Sequence, residues 1–285
     1  MKPIITATEL SEIFNQENLV ILDARTGKDA RENYLQNHIK GARFIDLDKD
    51  LAEIGEDSAF GGRHPLPKIS KFAETLQILG ISEDSHLVVY DTSNGANAAA
   101  RCWWMLKSFG IEKVQVLSGG FKTAEKTGIP LKSGEEIFEK TSFILRENWC
   151  WSTSTLEEVE KEISENSATV IDVRDAYRYR GESEPIDLLA GHIPGAINIP
   201  FSENLDENGE FLSSEILKEK YQKLLADTST PLSMTKKLII HCGSGVTACH
   251  TILALDYAGF PIPNLYVGSW SEWSRREGKK IAREV

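Results

Sequence analysis

Short runs of β-branched and other apolar residues recur along the chain, each bounded by turn-forming residues. They are Val20–Ala24, Leu87–Asp91 and Val114–Ser118 early on, then Thr169–Val173, Lys237–Cys242 and Leu265–Ser269. Short apolar runs without clean polar alternation suit parallel strands buried on both faces. Between them lie stretches of helical periodicity, among them Ala98–Phe109 and Val246–Tyr257. An amphipathic helix is also expected to open each half, with Thr8 and Ser154 as candidate N-caps, because a hydroxyl there accepts from the free N–H groups of a first turn. Strands alternating with helices predict an α/β fold of mainly parallel sheets with helices on both faces.

The pattern occurs twice. Leu19-Val20-Ile21-Leu22-Asp23-Ala24-Arg25, followed by His38-Ile39-Lys40-Gly41-Ala42, is answered by Thr169-Val170-Ile171-Asp172-Val173-Arg174 and His192-Ile193-Pro194-Gly195-Ala196. Leu87-Val88-Val89-Tyr90-Asp91 then matches Leu238-Ile239-Ile240-His241-Cys242, and Gly119-Gly120-Phe121 matches Gly268-Ser269-Trp270. Asp91 lies 68 residues beyond Asp23, and Cys242 lies 70 beyond Asp172. Anchors in one order at near-equal spacing indicate a duplication. The expected division is a first domain over 1–126, a polar linker over 127–147 and a second domain over 148–285.

Apolar residues make up 41% of the chain, enough for two cores without covalent staples. The formal net charge of -11 argues against nucleic acid or an anionic membrane as main partner, since both select basic surfaces. No run is apolar enough for a membrane span, and the first residues read as neither signal nor transit peptide, so a cytoplasmic protein is expected. The four cysteines, 102, 150, 242 and 249, are too sparse for a disulfide framework and leave thiols free for chemistry.

Of these thiols Cys242 stands out. It ends a strand where its counterpart is Asp91, and Gly243-Ser244-Gly245-Val246-Thr247 follows it into a helix. Ligands of open α/β sheets bind at the carboxyl ends of strands. There the N–H groups of residues 243–248 can converge on one point, and the helix dipole favours negative charge. A thiolate at that point is stabilised, so Cys242 is expected to be an activated nucleophile, with its pKa below that of a free thiol. The plainer alternative is a small buried residue at a strand end.

These motifs resemble the two-domain rhodaneses, or sulfurtransferases, over nearly the whole chain. The resemblance rests on the tandem plan, the missing cysteine in the first half, the segment His192-Ile193-Pro194-Gly195-Ala196 and the terminal Gly268-Ser269-Trp270-Ser271-Glu272-Trp273. The uncharged loop after Cys242 is similar to that of 3-mercaptopyruvate sulfurtransferases, whereas thiosulfate-using relatives typically carry basic side chains there. The resemblance implies two tandem rhodanese-like domains. It also implies transfer of sulfur from 3-mercaptopyruvate, through a Cys242 persulfide, to a thiol acceptor such as thioredoxin or a low-molecular-weight thiol, or to cyanide in assay, with release of pyruvate. Thiosulfate sulfurtransferase activity is the alternative donor reading, and a non-enzymatic persulfide carrier is an alternative of another class. No cofactor or metal is implied.

By the same resemblance, Ser244, His64 and Asp48 form a relay for the proton steps, at a site between the domains. His64 lies in the segment Arg63-His64-Pro65-Leu66-Pro67. Arg178 is the candidate for the substrate carboxylate, with Gly243, Gly245, Val246 and Thr247 lining the loop. A second family arginine usually follows a Glu-Pro pair, but Glu184-Pro185 is followed here by Ile186, so Arg180 or Arg63 is the candidate substitute. Ordinary surface or turn positions are the alternatives for His64, Ser244 and Arg180.

Other patterns fit less well. Gly243-Ser244-Gly245-Val246-Thr247-Ala248 satisfies a dinucleotide fingerprint, but only 37 residues follow, too few for further βα units. A cysteine phosphatase needs an arginine six positions after its cysteine, where Ala248 stands. Cys249 and His250, with Cys242 or His241, match no common zinc spacing, and Cys249 is expected to face the core. Asp23 with Arg25, Asp172 with Arg174, and both His38 and His192 recur in the two halves. They are therefore expected to be structural, the acid–arginine pairs tying a strand end to a neighbouring loop. Trp270 and Trp273 are expected in the core.

Overall fold

The computed structural model describes residues 1–142, 146–226 and 236–284. They form two compact units. One comprises Met1–Glu53, Leu66–Cys150 and Glu207–Phe211; the other comprises Ile54–Pro65, Trp151–Asp206 and Leu212–Val285.

Each unit is built on a five-stranded, wholly parallel sheet flanked by helices. In the first unit the strand order is Ile4–Ile5, Val114–Leu117, His86–Tyr90, Leu19–Asp23, Arg43–Phe44. In the second it is Thr153–Ser154, Asn264–Tyr266, Lys237–His241, Ala168–Asp172, Ile197–Asn198. The two orders correspond strand for strand, so the repeat seen in the sequence is a repeat of topology. The run ending in Cys242 supplies the central strand, paired on one side with Ala168–Asp172 and on the other with Asn264–Tyr266. Burial on both faces explains why these strands read as continuous apolar runs.

The opening helices, Ala7–Ile13 and Leu156–Ser164, begin one or two residues away from the expected caps. Thr6 and Thr155 are the N-caps, each in a reciprocal box with Glu9 or Glu158 three positions on. Thr8 lies inside the first helix and Ser154 in the strand before the second. The glutamate decides the cap, because only a hydroxyl three residues before it completes both bonds.

Of the expected linker 127–147, residues 143–145 lie outside the described residues, and the part before them is more structured than its polarity suggests. Leu131–Lys132 pairs antiparallel with His38–Ile39, and the Gly134 N–H donates to the Leu35 carbonyl at 2.7 Å. Backbone pairing of this kind leaves no mark in composition.

The repeated polar residues do the same work in both units. Arg25 forks onto the buried Asp23 and donates to the carbonyl of Asn37 at 2.9 Å. Arg174 forks onto Asp172 and reaches the carbonyl of Gly191 at 2.7 Å. His38 stacks on Tyr34 and His192 on Tyr179, with ring centroids 4.1 and 3.7 Å apart. Each pair thus ties a strand end to the loop beyond it. Trp270 and Trp273 are core residues of the second unit, and Cys249 is fully buried.

Candidate active site

Cys242 sits one residue past the strand Lys237–His241 and is buried. The chain then turns through Gly243 to Val246 and enters the helix Thr247–Tyr257. Val246 is the buried residue at the helix start, and Thr247 opens the first turn. Gly245 has φ +73°, and a Cβ there would meet the Val267 carbonyl oxygen at 2.6 Å. Only glycine permits that turn at that approach.

The first unit shows what this loop geometry accommodates. At the position matching Cys242, the Asp91 carboxylate accepts four backbone N–H groups: Ser93 and Gly95 at 2.8 Å, Asn97 at 3.0 Å and Ala99 at 3.1 Å. Burial pushes the Asp91 carboxyl up, and these four donors oppose it. An anion at the strand end is thus held almost wholly by main chain. Both loops are anchored alike: Phe121 N–H donates to the Asp91 carbonyl at 2.9 Å, and Trp270 N–H to the Cys242 carbonyl at 3.0 Å.

Ser244 is buried, and its Oγ lies 2.8 Å from Nδ1 of the half-buried His64, 180 residues away in sequence. The segment bearing His64 belongs to the same unit and is pinned by the C-terminal motif. The Gly61 N–H donates to Glu272 at 2.9 Å, and the Arg63 N–H to Ser271 Oγ at 3.1 Å. Gly62 lies so close that a Cβ would meet the Gly268 carbonyl oxygen at 2.4 Å. The same motif reaches the Cys242 loop. Ser269 adopts φ +54°, unusual for a residue with a side chain, and its hydroxyl accepts the Cys242 N–H at 3.2 Å. Trp270 lies over the Arg174 guanidinium at 4.6 Å and donates from Nε1 to the Leu189 carbonyl at 2.8 Å.

Arginines gather on the other side of Gly243. A Cβ on Gly243 would lie 3.1 Å from Arg63 Nη2, 3.4 Å from Asp187 Oδ2 and 3.6 Å from Arg178 Nη2. Arg178 is also forked onto Glu184, with contacts of 3.0 and 2.6 Å. Burial alone would lower the Arg178 pKa, but Glu184, Asp187 and the nearby Cys242 outweigh it, and the net shift is upward.

Residues 6–126 and 155–276 each match the model of the rhodanese-like domain. The chain belongs to that family. Across 286 aligned residues it is 38% identical to a probable 3-mercaptopyruvate sulfurtransferase of Pseudomonas aeruginosa, covering 98% of this chain and 97% of that one. It is 36% identical to a thiosulfate sulfurtransferase of Gallus gallus, covering 87% of this chain and 82% of the relative. A solved 3-mercaptopyruvate sulfotransferase from Escherichia coli superposes with a TM-score of 0.77 at 33% identity, covering 95% of this chain and 100% of that one.

Within this rhodanese-like chain the structure thus brings Cys242, Gly243, Ser244, Gly245, Val246, Thr247, His64, Arg63 and Arg178 together in the second unit. Arg180 lies elsewhere: it forms an exposed pair with Glu182 at 2.6 Å. Asp48 belongs to the first unit, on an exposed turn where its N–H donates to Asp46 Oδ1 at 2.9 Å. Sequence reasoning missed Asp187 and the positioning roles of Ser269, Ser271 and Glu272. The one available signal was Ser269, which replaces a glycine of the first half at a position requiring positive φ. Among the described residues no group of acidic, histidine and cysteine side chains is arranged to hold a metal ion.

Proposed function

We propose that this rhodanese-like protein is a sulfurtransferase that takes sulfur from 3-mercaptopyruvate onto Cys242. The observation that carries the reading is the Ser244–His64 hydrogen bond of 2.8 Å beside the Cys242 loop. A donor whose leaving atom is carbon needs proton transfer, and this pair supplies a hydroxyl backed by a base.

The steps balance. The Cys242 thiolate attacks the donor sulfur while Ser244 and His64 accept the thiol proton. The carbon–sulfur bond breaks, its electron pair stays on carbon as the enolate of pyruvate, and the same proton returns to that carbon. Cys242 is left as a persulfide anion. A thiol acceptor then removes the outer sulfur and restores the thiolate. The nest around Asp91 supports the anionic states: its donors Asn97 and Ala99 are the N-cap and second residue of helix Ala98–Phe109, the places that Val246 and Ala248 hold in helix Thr247–Tyr257, and the N–H groups of the shorter Cys242 loop up to Ala248 are proposed to face the sulfur. Arg178 and Arg63 are proposed to hold the donor carboxylate. Among the described residues no helix is long and apolar enough to cross a membrane. The four cysteines are free, which suits a reducing cytoplasm, and thioredoxin or a small thiol suits the acceptor role.

The relative from Gallus gallus favours thiosulfate as a second donor reading. Steady-state kcat/KM for both donors, with intact mass spectrometry of donor-treated protein, decides between them. The expected result is a preference for 3-mercaptopyruvate, a mass gain of one sulfur, and loss of both in Cys242→Ser. A preference for thiosulfate would reject the donor assignment. Turnover by Cys242→Ser would reject the mechanism altogether. A sulfur adduct without turnover of either donor would identify a carrier instead.

A further inference from the structure

Three guanidinium groups converge on one buried carboxylate next to the nucleophile loop. Asp187, its side chain fully out of solvent, receives Arg63 Nε at 3.0 Å, Arg178 Nη2 at 3.2 Å and Arg275 Nη1 at 3.3 Å. Its own N–H donates to Glu184 at 3.1 Å, which fixes its backbone. Asp187 Oδ2 lies only 3.4 Å from where a Cβ of Gly243 would be. A fixed negative charge therefore stands over the first residue after Cys242, among the cations assigned to the donor.

This arrangement has two consequences for an incoming anion. Asp187 engages one edge of Arg63 and Glu184 with Asp187 one edge of Arg178. Among the described residues, Nη1 of Arg63 and Nη1 of Arg178 have no acceptor and remain available. The carboxylate also subtracts one charge from the cluster. A second negative charge on the donor meets both a reduced positive field and Asp187 itself.

We propose that Asp187 is a specificity-determining residue that fits the site to monoanionic donors and disfavours dianionic ones. The proposal rests on the sulfurtransferase reading above. A mercaptopyruvate thiol carries one charge, on its carboxylate; thiosulfate carries two on a compact oxyanion. One extra unit charge several ångströms from Asp187, at an effective dielectric of about 20, changes relative affinity by about ten- to a hundredfold.

The test compares kcat/KM for thiosulfate and for 3-mercaptopyruvate in the wild type, Asp187→Asn and Arg275→Met, with thermal unfolding as the check on folding. Asp187→Asn keeps the shape and removes the charge, so the thiosulfate-to-mercaptopyruvate ratio should rise about tenfold or more. Arg275→Met removes a cation that offsets Asp187, so the ratio should fall. A purely structural Asp187 would lower both values by one factor, and an unmoved ratio overturns the proposal. If Asp187→Asn does not fold, the direction of the Arg275→Met shift decides alone. A wild type that prefers thiosulfate overturns this proposal together with the donor reading. A wild type that prefers mercaptopyruvate, with a ratio neither variant moves, overturns this proposal only.

Discussion

Replacing Asp91 by asparagine tests the nest that the proposed mechanism relies on, in the unit to which that mechanism assigns no nucleophile. The carboxylate accepts Ser93 and Gly95 on Oδ1, and Asn97 and Ala99 on Oδ2. In Asp91→Asn one oxygen becomes an NH2 group facing two donors. Two N–H groups lose their acceptor, at about 1–3 kcal/mol each when buried, so a loss of about 2–6 kcal/mol is expected. The alternative outcome has an equally definite cause. Asp91 is fully buried, and if burying its charge costs more than the four bonds return, removing the charge stabilises the unit. A two-unit chain need not unfold in one step, so hydrogen exchange by mass spectrometry is the suitable assay. Protection over 91–101 should fall in the variant, while the corresponding segment 242–250 serves as internal control. Unchanged or increased protection over 91–101 would refute the claim that convergent N–H groups stabilise an anion at this strand end, and would weaken its extension to Cys242.

Gly245→Ala should remove nearly all sulfur transfer while the protein stays folded, because φ +73° and the Val267 carbonyl at 2.6 Å force the loop to move; retained kcat/KM would contradict this. His64→Ala should slow turnover of 3-mercaptopyruvate by about 10²-fold or more and that of thiosulfate far less, since only the former needs proton transfer; equal losses would make His64 structural. Acid should weaken the second unit. Burial holds the His241 imidazole below its ordinary range despite Asp172, so the unfolded chain takes up the proton first, and stability falls as pH drops below about 6.5. Burial would raise the Asp172 carboxyl, but Arg174 and His241 outweigh it and hold it low, so a further loss follows as pH drops below about 3.9. Urea midpoints measured from pH 8 to pH 3 check both; a flat profile would contradict them.

Most of the fold could be read from local pattern because its strands are buried on both faces and its polar anchors repeat. Asp23 with Arg25 and Asp172 with Arg174 are two residues apart, and each His stacks on a Tyr earlier in the same half. The helix starts were misjudged by one or two residues because several hydroxyls lie side by side there, and only Glu9 and Glu158 select among them. Other features have no local signature. The bonds that pin the His64 segment span 208 and 211 residues, and those around Asp187 include one spanning 124. No periodicity registers pairs at that range. Arg180 and Arg178 are chemically alike and adjacent in pattern, yet one pairs at the surface with Glu182 and the other is buried against Glu184. Helix rotation separates them, and that depends on packing rather than on residue type.

The terminal motif gains its meaning from this geometry. Its tryptophans pack the core, as their size predicts, but its small polar residues act on the site. Ser269 holds the Cys242 N–H, Ser271 the Arg63 N–H and Glu272 the Gly61 N–H. The Cys242 loop and the His64 segment are thereby referred to one helix, Ser269–Trp273. A displacement of that helix would move both partners of the Ser244–His64 contact together, which would preserve the 2.8 Å distance that the proposed proton transfer requires. The positive φ of Ser269 follows from the same demand. Glycine would adopt it freely, as Gly120 does in the first unit at φ +61°, but glycine offers no hydroxyl to Cys242. The positive φ is thus borne by a side chain where Cys242, the proposed nucleophile, has to be positioned, and by glycine where Asp91 stands instead.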